Sequence, residues 1–346
     1  MFFCDPPGKS DSESLLNFGD DIIESNYIFF HDQEPIHLDI HTSLFDAVES
    51  RNKDLNNWKG SDHKAIITSE WNSEFVDQVC SQYFWSHYYY FYHGWASLDW
   101  YRGYNKTFLI KPVANRNIQK TFIAPNRIVA GKRSHRLEML YWIFKLDMLD
   151  NWISCPATCP VEKVGIFDAV KSLSTVYPDI NNVFSQQRLP IQFPGEDNHP
   201  MHSCWLSLFD ESAESLLYLV TETVAAGRRQ HLTEKTFKPI ALGMPFVIVG
   251  TQGCLKYLRS YGFKTFGDFW DESYDDEPND HLRIEKIAHT LKKLDMLETK
   301  HKNDILHSAK EVIEHNWNHF YGGGFETVLW AELTTMLATI KNDFNV

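Results

Sequence analysis

Several groupings in this sequence carry the residue types of a ligand site. In Leu232-Thr233-Glu234-Lys235-Thr236-Phe237 a carboxylate and a lysine open a stretch with helical apolar spacing, shortly after an apolar run that ends Val220-Thr221-Glu222. A helix start offers backbone N–H groups and a favourable dipole, so a lysine beside it suits an anion such as a phosphate. The plainer reading is an acid and a surface lysine stabilising an ordinary helix. Upstream, Asn126-Arg127 and then Lys132-Arg133-Ser134-His135-Arg136 crowd cations into a short polar segment, which is either an anion site or a solvated basic loop. Asp32 and Glu34 follow the apolar run Tyr27 to Phe30, at the kind of strand end where open α/β sheets hold ligands. A carboxylate there can accept a proton, or simply cap a polar turn. Finally, His93, Trp95, Asp99, Trp100 and Arg102 follow another apolar run, and their mixture of rings and charges suits either stacking against a ligand or an aromatic plug.

These groups need elements to position them. Asn26 to Phe30, Ala65 to Thr68 and Tyr88 to Tyr92 read as buried strands, with helical spacing at Leu44 to Val48 and Ser73 to Val79 between them. That β-α-β-α-β order is the pattern of a parallel sheet. After the turn-rich stretch Lys111 to Asn117 a second set begins: a strand at Thr121 to Ala124, a polar loop, and a helix at His135 to Phe144 with Ser134 as its N-cap. Strands follow at Ser215 to Thr221 and Pro245 to Gly250, with helices at Glu234 to Leu242 and Leu255 to Tyr261. No element is assigned over most of 155–210. The expectation is an α/β protein of two Rossmann-like domains, one at 1–115 and one at 116–346, with a cleft between them. The final helical stretch, Ala331 to Lys341, is able to cross back onto the first domain.

The bulk properties narrow the function. A chain of 346 residues with 43% hydrophobic content can bury two cores. No apolar run approaches the roughly 18 to 20 residues a bilayer span requires, and the N-terminus lacks a signal-peptide layout, so the expected location is the cytoplasm, away from membranes. The six cysteines, at 4, 80, 155, 159, 204 and 254, do not form a disulfide framework, and Cys155 with Cys159 lacks the second pair that a zinc site needs. They are read as structural. A net charge of −13 disfavours blanket neutralisation of nucleic-acid phosphates but leaves room for a local basic groove. Clustered carboxylates at Asp271 to Glu277 invite a metal, and an acidic loop is the preferred reading.

The run from Leu219 to Gly250 resembles the sugar-donor core of the α1,3-fucosyltransferase family. There a strand ending in Glu is followed by Thr-Glu-Lys at a helix start and then by an apolar strand. The resemblance implies a nucleotide-sugar glycosyltransferase of the two-Rossmann-domain (GT-B) kind that needs no metal and no cofactor beyond a UDP- or GDP-sugar. Lys235 and either Arg133 or Arg136 would meet the diphosphate, Glu234 would accept from ribose or sugar hydroxyls, and Thr233, Glu222 and Asn126 would complete the site. His31-Asp32-Gln33-Glu34-Pro35 resembles the acceptor-domain stretch of the same family, though only Glu and Pro of it survive. It implies Glu34 or Asp32 as the base of an inverting transfer. His93, Trp95, Asp99, Trp100 and Arg102 would bind the acceptor. Most of the chain also resembles glycosyltransferase-like proteins of tailed bacteriophages, which implies the host cytoplasm and, as acceptor, double-stranded DNA carrying hydroxymethylated pyrimidines. A glycan- or lipid-linked saccharide transferase and a catalytically silent nucleotide- or nucleic-acid-binding module are the alternatives.

Overall fold

A computed structural model describes residues 2–4, 27–31, 35, 64–105, 107–193 and 205–344. The chain is α/β, with two separate sheets whose strands are all parallel. The first sheet runs β1 (Phe2–Cys4), β2 (Tyr27–His31), β3 (Lys64–Thr68), β4 (Ser86–Tyr89), in that spatial order. The second contains β5 (Lys120–Ala124), β6 (Trp152–Ile153), β7 (Ser215–Thr221) and β8 (Phe246–Val249), in the order β6-β5-β7-β8. Parallel strands covered on both faces need near-continuous apolar sequence. β7 and β8 meet that demand, being buried at every position.

Two compact units divide the chain. The first takes residues 1–95, 228–231 and 327–346; the second takes 96–227 and 232–326. Among the described residues the α-helices of seven residues or more are α1 (Glu74–Tyr83), α2 (Tyr92–Tyr101), α3 (His135–Lys145), α4 (Glu234–Leu242), α5 (Cys254–Ser260), α6 (Asp280–Asp295), α7 (Thr299–Ser308), α8 (Lys310–Tyr321) and α9 (Gly324–Asp343). No helix among the described residues is long and apolar enough to cross a membrane.

In the first unit Ile28, Ala65, Ile67 and Tyr88 of the sheet pack with Met336, Ile340 and Phe344 near the end of the chain. Polar groups fix the same helix: the Glu332 carboxylate accepts from Phe91 N at 2.8 Å, and Tyr88 Oη donates to Asp343 at 2.6 Å. In the second unit Phe237 of α4 stacks on Phe320 and Phe325, with centroids 5.8 and 5.2 Å apart. At the far end of α4, Gly243 takes φ +68°, and a Cβ there would collide with the Phe108 ring. Glycine is therefore required both for the left-handed C-cap and for the close approach.

The structure revises two local expectations. The run Tyr88 to Tyr92 is not one strand: it leaves the sheet at Tyr89, and α2 begins at Tyr92. Ser134 precedes α3, but its own dihedrals are helical and its side chain caps nothing. The expected helix at Leu44 to Val48 lies outside the described residues.

Candidate functional site

The second sheet reverses direction at β5. From β5 the chain builds outward to β6 on one side, then returns to place β7 and β8 on the other. In open α/β sheets the crevice beyond the carboxyl ends of two such strands is where ligands bind. Asn126 follows β5 and Glu222 follows β7, so both stand at this switch point.

Their polar atoms lace the crevice together. Thr221 Oγ1 donates to Asn126 Oδ1 at 2.8 Å, while Asn126 N donates to Ser154 Oγ at 2.6 Å and Asn126 Nδ2 reaches Ala124 O at 3.4 Å. Glu222 is fully buried. Its Oε1 accepts from Thr233 N at 3.1 Å and Thr236 Oγ1 at 2.6 Å; its Oε2 accepts from Thr233 Oγ1 at 2.6 Å and Thr223 N at 3.2 Å. A buried carboxylate is tolerable only when its lone pairs are met in this way. Glu222 thus fastens the strand end to the first turn of α4, where Thr233 is the N-cap and accepts from Lys235 N at 3.4 Å. Arg136 completes the frame: its guanidinium donates to Ile128 O at 2.8 Å and to Thr221 O and Glu222 O, each at 3.1 Å. From α6, Arg283 does the same for the flanking loops, donating to Ala225 O at 2.8 Å and Gly250 O at 3.0 Å.

Against this frame stand the cations. Lys235 Nζ lies 3.2 Å from Thr223 Oγ1, 3.3 Å from Thr233 Oγ1 and 2.9 Å from Glu234 Oε1. Its side chain keeps 30% of its exposure, whereas that of Glu234 keeps 6%, so the ammonium is the partner that solvent or a ligand reaches. Arg133, half-buried, ends a 3-10 turn opened by Gly131 at φ +63°, a left-handed position suited to glycine. His135 shares the site, with Nε2 2.9 Å from Glu222 O. Burial, aided by the charges of Arg136, Arg133 and Lys235, pushes its imidazole down to about 3. The ring is therefore neutral, and its Nε2 carries the hydrogen given to the Glu222 carbonyl. Lys235 and Arg133 thus stand beside a neutral ring at the amino end of a nine-residue helix, an arrangement suited to an anion with several oxygens.

Other residues singled out from the sequence are placed differently. Asp32 and Glu34 lie outside the described residues. Trp95 packs edge-on against Trp330, with centroids 4.9 Å apart, and joins the core of the first unit. His93 is buried, its ring 4.9 Å from that of His231 and its backbone N–H directed to Ser69 Oγ at 3.4 Å. His93 and Trp95 belong to the first unit; Asp99, Trp100 and Arg102 belong to the second. Asp99 and Arg102 pair with each other on an exposed helix turn.

The first unit also holds a polar group that the sequence did not single out. Glu70, just past β3, is buried; it accepts from Ser73 Oγ at 2.8 Å and from Arg229 Nη1 at 3.2 Å. Arg229 in turn lies over the Phe75 ring, 4.6 Å from its centroid. Backbone bonds between Trp71 and Gln230, at 3.0 and 2.8 Å, hold the segment in place. The only advance signal was a polar Ser69-Glu70 pair directly after an apolar run.

The carboxylates at Asp271 to Glu277 act on nearby backbone. Asp275 accepts from Leu255 N at 2.9 Å and Lys256 N at 3.0 Å, in the first turn of α5, and Glu272 accepts from Phe266 N at 2.8 Å. Among the described residues no group of three or more His, Cys, Asp or Glu is arranged to hold a metal ion. Comparison of the whole chain with protein-family models, curated proteins and solved structures returns no match.

Proposed function

We propose that this chain is a glycosyltransferase of the GT-B kind, moving a sugar from a nucleotide sugar to an acceptor hydroxyl with inversion and without a metal. The observation that carries the reading is the cationic rim of Lys235 and Arg133 at a strand-order reversal, beside the amino end of the helix that Thr233-Glu234-Lys235 opens. Diphosphates are bound by fixed cations together with helix amino ends, and a switch point is where α/β sheets hold nucleotides. In this reading Lys235 and Arg133 neutralise the departing nucleoside diphosphate, and the Arg136 guanidinium, which donates to the carbonyls of Ile128, Thr221 and Glu222, fixes the backbone beside them. Glu234 accepts from ribose or sugar hydroxyls. Glu222, Thr233, Asn126 and Arg136 hold the loop that presents them.

The reaction is a single displacement. The acceptor oxygen forms a bond to the anomeric carbon as the bond from that carbon to the diphosphate oxygen breaks, and the hydroxyl proton passes to a carboxylate. Glu34, or Asp32 beside it, is proposed for that role. His93, Trp95, Asp99, Trp100 and Arg102 are proposed for the acceptor side, and a hydroxymethylated pyrimidine in double-stranded phage DNA is the proposed acceptor. The net charge of −13 favours a second acceptor class, a glycan or lipid-linked saccharide.

A thermal-shift panel of nucleotide sugars tests the donor, since a ligand at 100 times its dissociation constant stabilises by about 2.7 kcal/mol. No shift with any UDP- or GDP-sugar removes the reading. Incubation with hydroxymethylated and unmodified duplex DNA, followed by nucleoside mass spectrometry, tests the acceptor. A sugar found only on a saccharide control reassigns it to the glycan class.

A further inference from the structure

Glu138, in the first turn of α3, is a buried carboxylate with no part in the reaction proposed above. Burying an acid is costly unless its lone pairs are met, and here the partners come from two other parts of the chain. The Tyr177 hydroxyl donates to Oε1, and His281 Nδ1, in the first turn of α6, lies 3.0 Å from both oxygens. Nδ1 therefore carries a hydrogen, given to the carboxylate. The His281 side chain keeps 45% of its exposure and that of Glu138 only 2%, so protons reach the pair from the imidazole side.

The two helices joined in this way hold one segment at its two ends. From α3, Arg136 donates to Thr221 O and Glu222 O; from α6, Arg283 donates to Ala225 O, and Asp280 accepts from Gly227 N at 3.4 Å. Between these grips lies Thr223, whose hydroxyl is 3.2 Å from Lys235 Nζ. The charges around the pair come from the same elements. Asp280 precedes His281 and is paired with Arg283, and Glu285 follows one turn later, beside Tyr177. Further along, His289 lies against Trp142, and Lys145 is paired with Asp179. Asp280 adds negative potential at Glu138, and burial already pushes that carboxyl upward, so both favour a shared proton.

We propose that Glu138 and His281 form a protonation-controlled clasp between α3 and α6 that sets how firmly the segment 221–227 is held. With both ring nitrogens protonated, an imidazolium–carboxylate pair closes the clasp. When the Nε2 proton leaves to solvent, the buried anion is met only by neutral donors, and the grip loosens. One proton moves and no covalent bond to carbon changes. The stabilisation is present at lower pH and is lost as pH rises through the titration of the imidazole. Both residues act as positioning residues, whatever ligand the crevice takes.

Amide hydrogen exchange of the whole protein from pH 5.5 to 8.5, corrected for intrinsic rate, reads the opening of this segment at Glu222 and Thr223, whose N–H groups are bonded to Val249 O and to the Glu222 carboxylate. Wild-type protection is expected to fall by about 10-fold across the range, the scale of a charge-assisted hydrogen bond. His281→Gln keeps an N–H for Glu138 but no charge, and its protection should stay flat at the lower level; Glu138→Gln should behave alike. Variants with the pH dependence of the wild type overturn the proposal, even at lower protection, because that is the mark of a purely structural contact. Should neither variant fold, ¹⁵N-histidine NMR on the wild type decides, with the His281 ring identified by its contact with the Tyr177 ring. One midpoint shared by the ring signal and the loop exchange supports the clasp, and separate midpoints overturn it.

Discussion

Glu222 and Thr233, 11 residues apart, are joined twice, by the Thr233 N–H to Oε1 at 3.1 Å and by the Thr233 hydroxyl to Oε2 at 2.6 Å. A strand end and a helix start are thereby fixed to one another through a single buried carboxylate. Glu222→Gln replaces an acceptor with an NH₂ group facing other donors. The expected cost is about 2 to 3 kcal/mol, the scale of losing charged hydrogen bonds and leaving buried groups unmet. It is read as a lower urea midpoint at unchanged slope. An unchanged midpoint would show that the carboxylate is not a structural tie.

Lys235→Ala takes the ammonium away from Thr223, Thr233 and Glu234 but leaves the bonds of Glu222, Asn126 and Arg136 in place. Its effect falls on ligand affinity: nucleoside diphosphate binding weakens by about 10- to 100-fold, the loss of one charge-assisted contact. Calorimetry with UDP and GDP measures this. Affinity equal to wild type takes Lys235 out of the site.

Arg229 and Glu70 form an ion pair whose side chains keep 7% and 1% of their exposure. Removing one partner from such a pair leaves an uncompensated charge, so Arg229→Ala is expected to destabilise by about 3 to 5 kcal/mol. The double variant Arg229→Ala with Glu70→Gln should recover part of that loss. A double variant no more stable than Arg229→Ala would assign the effect to lost packing on Phe75 instead.

Burial holds the His87 imidazole down at about 4, with Asp77 opposing weakly, and its Nε2 lies 2.8 Å from Thr68 Oγ1. As pH falls, the unfolded chain takes the proton first, near the ordinary histidine value of about 6.5. This contribution is therefore full above pH 6.5 and is lost as pH drops toward 4. Urea midpoints across that window should climb less steeply with pH for His87→Asn than for wild type. Parallel profiles would contradict the assignment.

The proposed base is tested by Glu34→Gln and Asp32→Asn. Glu34→Gln should keep sugar-donor affinity and lose transfer by about 10²-fold or more, the scale of general-base removal. If Asp32→Asn shows the loss and Glu34→Gln does not, the proton goes to Asp32.

What the sequence revealed follows from how each signal arises. The strands at 27–31, 64–68, 120–124, 215–221 and 246–249 were visible because burial on both faces demands continuous apolar runs. The same rule misled at Tyr88 to Tyr92, where aromatic residues serve a strand and then a helix, and the exit at Tyr90, whose N–H bonds Thr68 O, leaves no mark in composition. β6 spans only Trp152–Ile153, too short for any period to register. At the site, residue types located the switch point but not the direction of its side chains. Glu222 and Arg136 read equally well as ligand contacts or as framework, and only their bonds to Thr233 and to backbone carbonyls distinguish the two. His135 received no role of its own for the same reason: a histidine opening a helix carries no sign of what its two nitrogens face.

The order β6-β5-β7-β8 also sets when the second sheet can assemble. β5 ends at Ala124, but its long neighbour β7 begins at Ser215, and until that segment leaves the ribosome β5 has only the two-residue β6 beside it. Pairings this distant in sequence form late, after the chain between them has been ordered. A nascent chain stopped ahead of Ser215 therefore leaves an apolar strand edge unpaired, the condition that invites chaperone capture and misassociation. The loop chemistry at Glu222 and Thr233 then comes into being only once β7 has been made, when the two halves of the switch point first meet.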